Sequence, residues 1–334
     1  MHRRAALAML IAALVAARPA FAQTTDIRVL RPLDLLALPL LVMEHEHLIE
    51  RTAKDMGLGD LHVTWGEPAK AGPLAALASG DADFAMSDLV PFLEAADKSA
   101  GTADELRALG AVAERPFVLV TRNPAIHTIL DFTSRDRIAV PEPKLSQPAL
   151  LLEMAAAQEW GPKDYGRLDP LMVAMPDAAA AKALVSGTGD IDAHFSHSPY
   201  LDDELGQRTI HRVMDSYDIA GRHSDAVLAT TADFGAANPD LCKAILAALQ
   251  AADDFIAKRR GAAAEIFAGM QKKEAAIPVE ALTDMIGDPD LHYSAAPAGV
   301  TRLAQFMHRI GRLKNQPTSW ADFFLPESRD LKGS

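Results

Sequence analysis

Apolar and polar positions along this chain follow two different periods, which predicts strands separated by helices. Short apolar runs at 27–32, 61–65 and 82–87 have the length of strands. The intervening segment 36–57 carries its apolar residues at helical spacing and ends at a glycine. Strands that alternate with helices predict an α/β protein whose sheets are mainly parallel.

The same alternation continues through the middle of the chain. It predicts strands at 116–122, 137–143, 171–176 and 191–195, and helices at 149–159 and 177–184. A further strand at 226–231 is expected to pair with 116–122, so that the two segments form the crossings between two lobes. Beyond Pro239 the apolar residues return at a spacing of three and four, which predicts helices.

One unit of sequence occurs twice. Residues 77–88 read LASGDADFAMSD, and residues 184–196 read LVSGTGDIDAHFS. Each is the end of an alanine-rich helix, a Ser-Gly stop, an acidic turn and a short strand that Asp83 or Asp192 opens. Two such units predict two similar lobes. Because open α/β sheets bind ligands at the carboxyl ends of their strands, a cleft between the lobes is the predicted binding site.

Residues 1–22 have the composition of a cleavable signal peptide. A basic start precedes an apolar run over 5–17, and the sequence AFA at 20–22 fits the small-x-small cleavage rule. The run is shorter than the roughly 20 residues that span a bilayer, and no cysteine follows the cleavage site. We therefore expect a soluble protein, exported to the periplasm without a lipid anchor.

The charge balance is acidic. The full chain has a formal net charge of −12, and loss of the signal peptide removes three arginines and no acidic residue, which leaves −15. Nucleic acids and anionic membranes require a basic face, so neither is an expected partner. Cys242 is the only cysteine, which excludes an intramolecular disulfide, and the chain length suits two domains.

Four sequence blocks occur in a fixed order along nearly the whole mature chain. They read LRPLDLLALPLLVMEHEHLIE at 30–50, LAALASGDADFAMSDLVPFL at 74–93, IAVPEPKLSQPALLLEMA at 138–155 and GDIDAHFSHSPY at 189–200. Together with the ending TSWADFF, this pattern resembles the periplasmic substrate-binding proteins of ABC importers. The resemblance is to the nitrate/taurine/alkanesulfonate group (NitT/TauT, SsuA/THI5-like), which also includes binders of pyrimidine precursors.

The resemblance implies a two-lobe, type II binding-protein fold that closes on its ligand through a hinge. Lobe I would combine residues 23–115 and 225–334, and lobe II would be residues 116–224. The protein would be a monomer without a cofactor. A membrane permease and its ATPase would be its partners and would carry out transport of the small-molecule solute.

In this fold a ligand meets the loops where strands end and helices begin. Helix amino termini there offer free N–H groups and a partial positive charge, which suit an anion. The predicted ligand-binding residues are Leu33, Asp34, Leu35, Lys70, Ala71, Gly72, Ser87, Asp88, Leu89, Lys144, Leu145, Ser146, Gln147, Ser196, His197 and Ser198.

Several of these residues have two interpretations. Lys70 and Lys144 either reach an anion across the cleft or are solvated loop lysines. Asp88 either accepts from an amine or amidine ligand or caps the helix that follows it. His197 either contributes to the pocket or is a packed or surface imidazole.

No metal site is predicted. His194 and His197 are three apart on a strand, so they should point to opposite faces and should not share one ion. The run Glu44-His45-Glu46-His47 has few pairs at the three- or four-residue spacing that ligands on a helix need, so a solvated helix face explains it better.

The leading hypothesis is a non-catalytic receptor for a small organic anion such as a sulfonate, taurine, nitrate or a carboxylate. A neutral pyrimidine or other aromatic solute is the alternative ligand. An enzyme on the same fold, similar to thiamine-pyrimidine synthase or to a desulfinase, is the rival function. The resemblance implies a cysteine-rich motif for the first enzyme and a cleft cysteine for the second, whereas Cys242 lies outside every predicted pocket loop. A sensory receptor remains a third possibility.

Overall fold

The computed structural model describes residues 25–271 and 277–334. The predicted signal peptide, residues 1–22, lies outside them. Within the described ranges, no helix combines the length and the apolar character that crossing a membrane requires.

The described residues form strands and helices in alternation, as the sequence predicts. The strands are β1 Asp26–Leu30, β2 His62–Gly66, β3 Phe84–Asp88, β4 Leu106–Glu114, β5 Val118–Thr121, β6 Ile138–Val140, β7 Met172–Ala174, β8 Ala193–Ser196, β9 His211–Asp215, β10 Ser224–Thr231 and β11 His292–Tyr293. The helices are α1 Leu38–His45, α2 Leu48–Asp55, α3 Pro73–Ser79, α4 Leu89–Ser99, α5 Gln147–Trp160, α6 Asp177–Ser186, α7 Leu201–Leu205, α8 Ser216–Ala220, α9 Ala232–Ala237, α10 Pro239–Lys258, α11 Arg260–Met270, α12 Val279–Ile286 and α13 Val300–Arg309.

The strands divide into two sheets. The first has the order β11-β4-β10-β3-β1-β2, and the second has the order β7-β6-β8-β5-β9. The chain thus leaves the first sheet after β4 and returns to it at β10. This division is that of a two-lobe α/β protein.

Both sheets mix parallel and antiparallel pairs, whereas the sequence pattern favoured mainly parallel sheets. β1 is parallel to β2 and β3, and β6 is parallel to β7 and β8. β10 runs antiparallel to β3 and β4, and β5 runs antiparallel to β8 and β9. The antiparallel strands are those next to the crossings, where the chain reverses its direction through the sheet.

The expected pairing of 226–231 with 116–122 is wrong. β10 lies in the first sheet between β3 and β4, and β5 lies in the second sheet between β8 and β9. Both segments are short, fully buried apolar runs, which predict a central strand but carry no information about the partner strand.

The predicted helix over 36–57 is divided in the structure. A 3₁₀ turn over Leu35–Ala37 precedes α1, and His47 between α1 and α2 adopts the left-handed conformation with φ of 51°. A residue in that conformation ends the helical hydrogen-bond ladder. Apolar spacing continues through the break, so the sequence pattern does not reveal it.

Helix α10 shows how the sequence pattern becomes the core. Its predicted apolar face, Leu241, Ile245, Leu249, Ala252 and Ile256, is buried against the first sheet and α1. Full burial of a leucine or isoleucine side chain contributes about 1.5–3 kcal/mol. A second apolar cluster contains residues of both sheets, including Val227 and Phe195, so the core is continuous beside the crossings.

The two copies of the repeated unit form the same local structure. Gly80 after α3 and Gly187 after α6 adopt left-handed φ values of 74° and 66° and end their helices. Asp83 accepts a hydrogen bond of 2.8 Å from the backbone N of Arg28, at the start of the parallel neighbour β1. Asp192 accepts one of 2.8 Å from the backbone N of Arg137, just before β6. The repeated aspartate therefore fixes one strand beside its parallel neighbour in each sheet.

Candidate functional site

A cavity of about 490 Å³ lies at the carboxyl ends of β1 and β3. Five predicted site residues line it, namely Asp34, Ala71, Gly72, Ser87 and Asp88. Glu142 lines it from the loop after β6, so both sheets contribute to the same cavity. The cavity has the position that the strand-end argument predicts.

The rest of this cavity wall is largely apolar. It consists of Pro32, Pro68, Pro73, Leu74, Ala75, Met86 and Pro91. Proline supplies a rigid apolar surface and has no backbone N–H to offer a ligand. The wall therefore suits the body of an organic solute, and the polar contacts come from the few side chains between the prolines.

A second cavity of about 460 Å³ adjoins the first at Asp34. The predicted site residues Leu33 and Leu35 line it, together with Pro199 and Tyr200 from the second-sheet side. Asp34 itself caps the 3₁₀ turn after β1, where its Oδ1 accepts a hydrogen bond of 2.9 Å from the backbone N of Ala37. The loop after β1 thus contributes to both cavities.

The charged side chains at the first cavity are acidic. Of the described residues that line it, Asp34, Asp88 and Glu142 carry carboxylates, and none is a lysine, arginine or histidine. Asp88 is open to solvent through the cavity but closely surrounded by protein, and desolvation together with Asp225 raises its pKa to about 7. Desolvation also raises the pKa of Asp34.

Arg115, in the first crossing, carries a positive charge that opposes the rise in the pKa values of Asp88 and Asp34. Its Nε donates to Asp225 Oδ2 at 2.6 Å, and its Nη1 donates to His197 Nδ1 at 2.8 Å. Nη1 also donates to the carbonyl oxygen of Ser198 at 3.3 Å. The guanidinium therefore joins the two crossings to the loop after β8.

His197 lies between Arg115 and Asp177. Its Nδ1 lies 2.8 Å from Arg115 Nη1 and 2.7 Å from the carbonyl oxygen of Ser198, and its Nε2 lies 3.0 Å from Asp177 Oδ2. Phe117 and Tyr200 pack against the imidazole with ring centroids 5.7 Å away. His197 is a buried member of this network, and its side chain lines neither cavity.

Both predicted strand histidines reach one carboxylate. His194 lies between Asp177 Oδ1 at 3.5 Å and Glu204 Oε1 at 2.8 Å. Burial favours the neutral acid, but hydrogen bonds from both histidines hold the pKa of Asp177 well below its usual range. The expectation that His194 and His197 point apart is wrong, because β8 ends at Ser196 and His197 has left the strand.

Gln147 contacts the second crossing rather than a cavity. Its Nε2 donates to the carbonyl oxygen of Ser224 at 3.0 Å and to His223 Nδ1 at 2.9 Å. His223 in turn donates from Nε2 to Ser216 Oγ at 3.0 Å. Burial lowers the pKa of His223 to about 4, so the imidazole is neutral. The side chain of Gln147 therefore holds α5 to the return crossing.

Residues 57–263, more than half of the chain, match the NMT1/THI5-like family. The chain belongs to this family. A comparison with curated proteins finds no match. The predicted resemblance to the nitrate/taurine/alkanesulfonate binding proteins is confirmed at the level of family and fold.

Solved structures similar to this NMT1/THI5-like protein include periplasmic binding proteins. The periplasmic aliphatic sulphonate binding protein SsuA from Escherichia coli superposes with a TM-score of 0.67 at 18% identity, over 90% of this chain and 99% of its own. The alkanesulfonate-binding protein SsuA from Xanthomonas axonopodis pv. citri, bound to MOPS, gives 0.62 at 18%, over 88% and 96%. The periplasmic nitrate-binding protein NrtA from Synechocystis PCC 6803 gives 0.63 at 15%, over 90% and 84%. Identities this low show the fold alone, and they confirm the two-lobe type II fold.

The remaining predicted site residues of this NMT1/THI5-like protein lie outside both cavities. Lys70, Lys144 and Leu145 are exposed, and Leu89 is part of the core. Ser146 donates to the carbonyl oxygen of Glu142 at 2.8 Å. Buried Ser196 has no hydrogen-bond partner for its Oγ among the described residues. For all of these, a contact with ligand stays a prediction.

Sequence reasoning missed Glu142, Arg115, Asp225 and Tyr200. Glu142 lies between two prolines in a loop already selected for Lys144, so proximity could have indicated it. Arg115 and Asp225 are 110 residues apart, and their ion pair depends on which strands flank the crossings. In the described residues, no group of three or more metal-binding side chains is arranged around a common ion position.

Proposed function

We propose that this protein is the periplasmic substrate-binding component of an ABC importer, which captures a small solute between two lobes and delivers it to a permease and its ATPase. The observation that carries the proposal is the cavity of about 490 Å³ at the ends of β1 and β3, with Glu142 contributed from the other sheet. A cleft lined from two sides allows closure around a ligand.

Lobe I is proposed to comprise residues 23–115 and 225–334, and lobe II residues 116–224. The distribution of strands supports this division, since β5 to β9 form the second sheet. The predicted signal peptide supports export to the periplasm, and the sulfonate- and nitrate-binding neighbours support a role in import.

An enzyme on this fold is the alternative, and the state of Cys242 argues against a thiol mechanism. The residue is fully buried in α10, and burial raises the pKa of its thiol to about 12. The thiolate is the nucleophilic form of cysteine, and a thiol protonated at neutral pH and closed to solvent supplies none. This favours a non-catalytic receptor over a desulfinase-like enzyme.

The expectation that the ligand is a small organic anion depends partly on Lys70 and Lys144. Both side chains are exposed, and neither lines a cavity. The receptor proposal therefore stands on the cavity and the fold, and it does not include an anionic ligand.

Thermal unfolding of the purified protein against a panel of solutes tests the receptor proposal. The panel contains sulfonates, nitrate, carboxylates, aminopyrimidines, amines and amidines. A solute at about 100 times its dissociation constant adds roughly 2.7 kcal/mol, which raises the midpoint by several degrees for a protein of this size.

The solute that stabilises the protein is then recovered after prolonged incubation and identified by mass spectrometry. A receptor returns it unchanged, whereas a modified solute supports the enzyme alternative. Failure of every class in the panel to raise the midpoint would contradict the receptor proposal.

A further inference from the structure

We infer that the solute carries a positively charged nitrogen group, which binds at the carboxylates of Asp88 and Asp34, on an apolar body that lies against the proline-rich wall. This inference rests on the proposed receptor function and specifies its ligand class. The ligand would be a small organic amine, amidine or guanidine.

The charge at the cavity is the first observation. Asp34, Asp88 and Glu142 line it, and the described residues of its wall include no basic side chain. Asp225 and Asp177 lie behind them and add to the negative potential at Asp88. An anion placed here would be repelled by these carboxylates, whereas a cation would be attracted by them.

The second observation is that Arg115 is already hydrogen-bonded within the protein. Its Nε and Nη1 are held by Asp225, His197 and the carbonyl oxygen of Ser198. A guanidinium that already pairs with a carboxylate offers a solute anion little net attraction. Lys70 and Lys144 are exposed outside the cavity, so neither supplies the missing positive charge.

The third observation is that the Asp88 carboxylate has no side-chain partner among the residues that the structure describes, unlike the neighbouring carboxylates. Asp225 pairs with Arg115, and Asp177 accepts from two histidines. In the described part of the chain, no side-chain hydrogen bond caps α4 from Asp88, and no ion pair reaches it. It lines the cavity at the carboxyl end of a central strand with its oxygens free to accept N–H donors.

The apolar part of the cavity wall selects the rest of the solute. Pro32, Pro68, Leu74, Met86 and Pro91 form an apolar surface within the same cavity. A volume of about 490 Å³ suits a small molecule with a hydrocarbon or aromatic body. The arrangement thus combines a cation-accepting end with an apolar side.

Calorimetric titration at pH 8 with two groups of probes tests this inference. The cations are benzamidine, agmatine and putrescine, and the anions are ethanesulfonate, MOPS and nitrate. We expect at least one cation to bind and the anions not to bind. In the variant Asp88→Asn, cation affinity should fall about tenfold or more, because a charge-assisted hydrogen bond becomes a neutral one.

Asp60→Asn is the matched control, since the Asp60 side chain is 96% exposed in the loop before β2. It should leave cation affinity unchanged. Asp34→Asn provides a second variant that keeps the turn capped, because an asparagine oxygen also accepts from the Ala37 backbone. It should weaken cation binding as well.

The inference and the receptor function fail in different ways. Binding of a sulfonate or nitrate that Asp88→Asn leaves unchanged or strengthens would overturn the cation assignment and keep the receptor. Absence of binding by every cation would also overturn it. Only failure of the whole solute panel would overturn the receptor function itself.

Discussion

Asp88 illustrates how one residue's surroundings change its chemistry. Desolvation and the nearby Asp225, Asp34 and Asp177 favour its neutral form, and Arg115 opposes them. With a pKa of about 7, the carboxyl group titrates close to neutral pH. The folded protein therefore holds a proton at Asp88 that the unfolded chain has already lost.

The consequence for stability has a definite sign. Because the folded-state pKa of Asp88 is raised, its ionisation destabilises the unliganded protein progressively from about pH 4 and fully above about pH 7. Asp88→Asn removes this penalty. We expect the variant to unfold at a higher temperature than the wild type at pH 8 and at nearly the same temperature at pH 4.

Thermal unfolding of both proteins across this pH range measures the difference. Asp60→Asn should follow the wild type throughout. A difference between Asp88→Asn and the wild type that is independent of pH would show that the Asp88 carboxyl group does not titrate as described.

At the level of single residues, the sequence predicted part of the cavity. Ser87 and Asp88 follow from the rule that strand ends carry the site, and Ala71 and Gly72 follow from the helix start at Pro73. Arg115 could not be predicted in the same way. Its position depends on the packing of β4, β5 and β10, which no local pattern encodes.

At the scale of elements, the repeated unit connects sequence to architecture most directly. Each copy combines a helix, a left-handed glycine and a strand whose aspartate accepts the backbone N–H of its parallel neighbour. Apolar spacing and turn residues predicted these elements because their causes are local. Strand pairing around the crossings was predicted wrongly, since β5 and β10 are buried on both faces and their partners come from distant parts of the chain.

The aspartate of the repeat is expected to stabilise each sheet. Asp192→Ala leaves the backbone N–H of Arg137 without its acceptor, which should lower the free energy of unfolding by about 1–3 kcal/mol. Asp190→Ala in the same turn is the matched control, because this exposed residue makes no side-chain hydrogen bond or ion pair in the described structure. Its effect should stay within about 0.5 kcal/mol.

Denaturant unfolding of the two variants and the wild type measures this. Equal losses for Asp192→Ala and Asp190→Ala would indicate that the acidic turn, rather than the strand contact, determines stability.

At the scale of the whole molecule, the two sheets are connected through two crossings that polar groups hold together. Arg115 joins Asp225 to His197, and Gln147 joins α5 to His223. The charge of Arg115 acts on the cavity residue Asp88, whereas His223 is buried and neutral.

His223 makes the stability of the return crossing sensitive to acid. Because burial lowers the pKa of His223 to about 4, the unfolded chain takes up a proton before the folded protein does. Stability should therefore fall as the pH decreases from about 6.5 towards 4, by about 3 kcal/mol from this group. His223→Gln should lose less stability over the same interval.

Chemical unfolding at pH 7 and pH 4.5 measures the loss of stability in the wild type and in His223→Gln. Because other acidic groups titrate in both, the informative quantity is the difference between them. An identical loss in the wild type and in His223→Gln would contradict a neutral, buried imidazole at the crossing.

The location of the binding site is the central claim, and one measurement tests it most directly. Calorimetric titration with the solute that stabilises the wild type most should be repeated on Ala71→Trp and Ala69→Trp. Ala71 lines the cavity, whereas Ala69, two residues earlier and also exposed, does not. We predict one solute per chain for the wild type and Ala69→Trp, and no binding for Ala71→Trp. Undiminished binding by Ala71→Trp would place the site elsewhere and contradict the account.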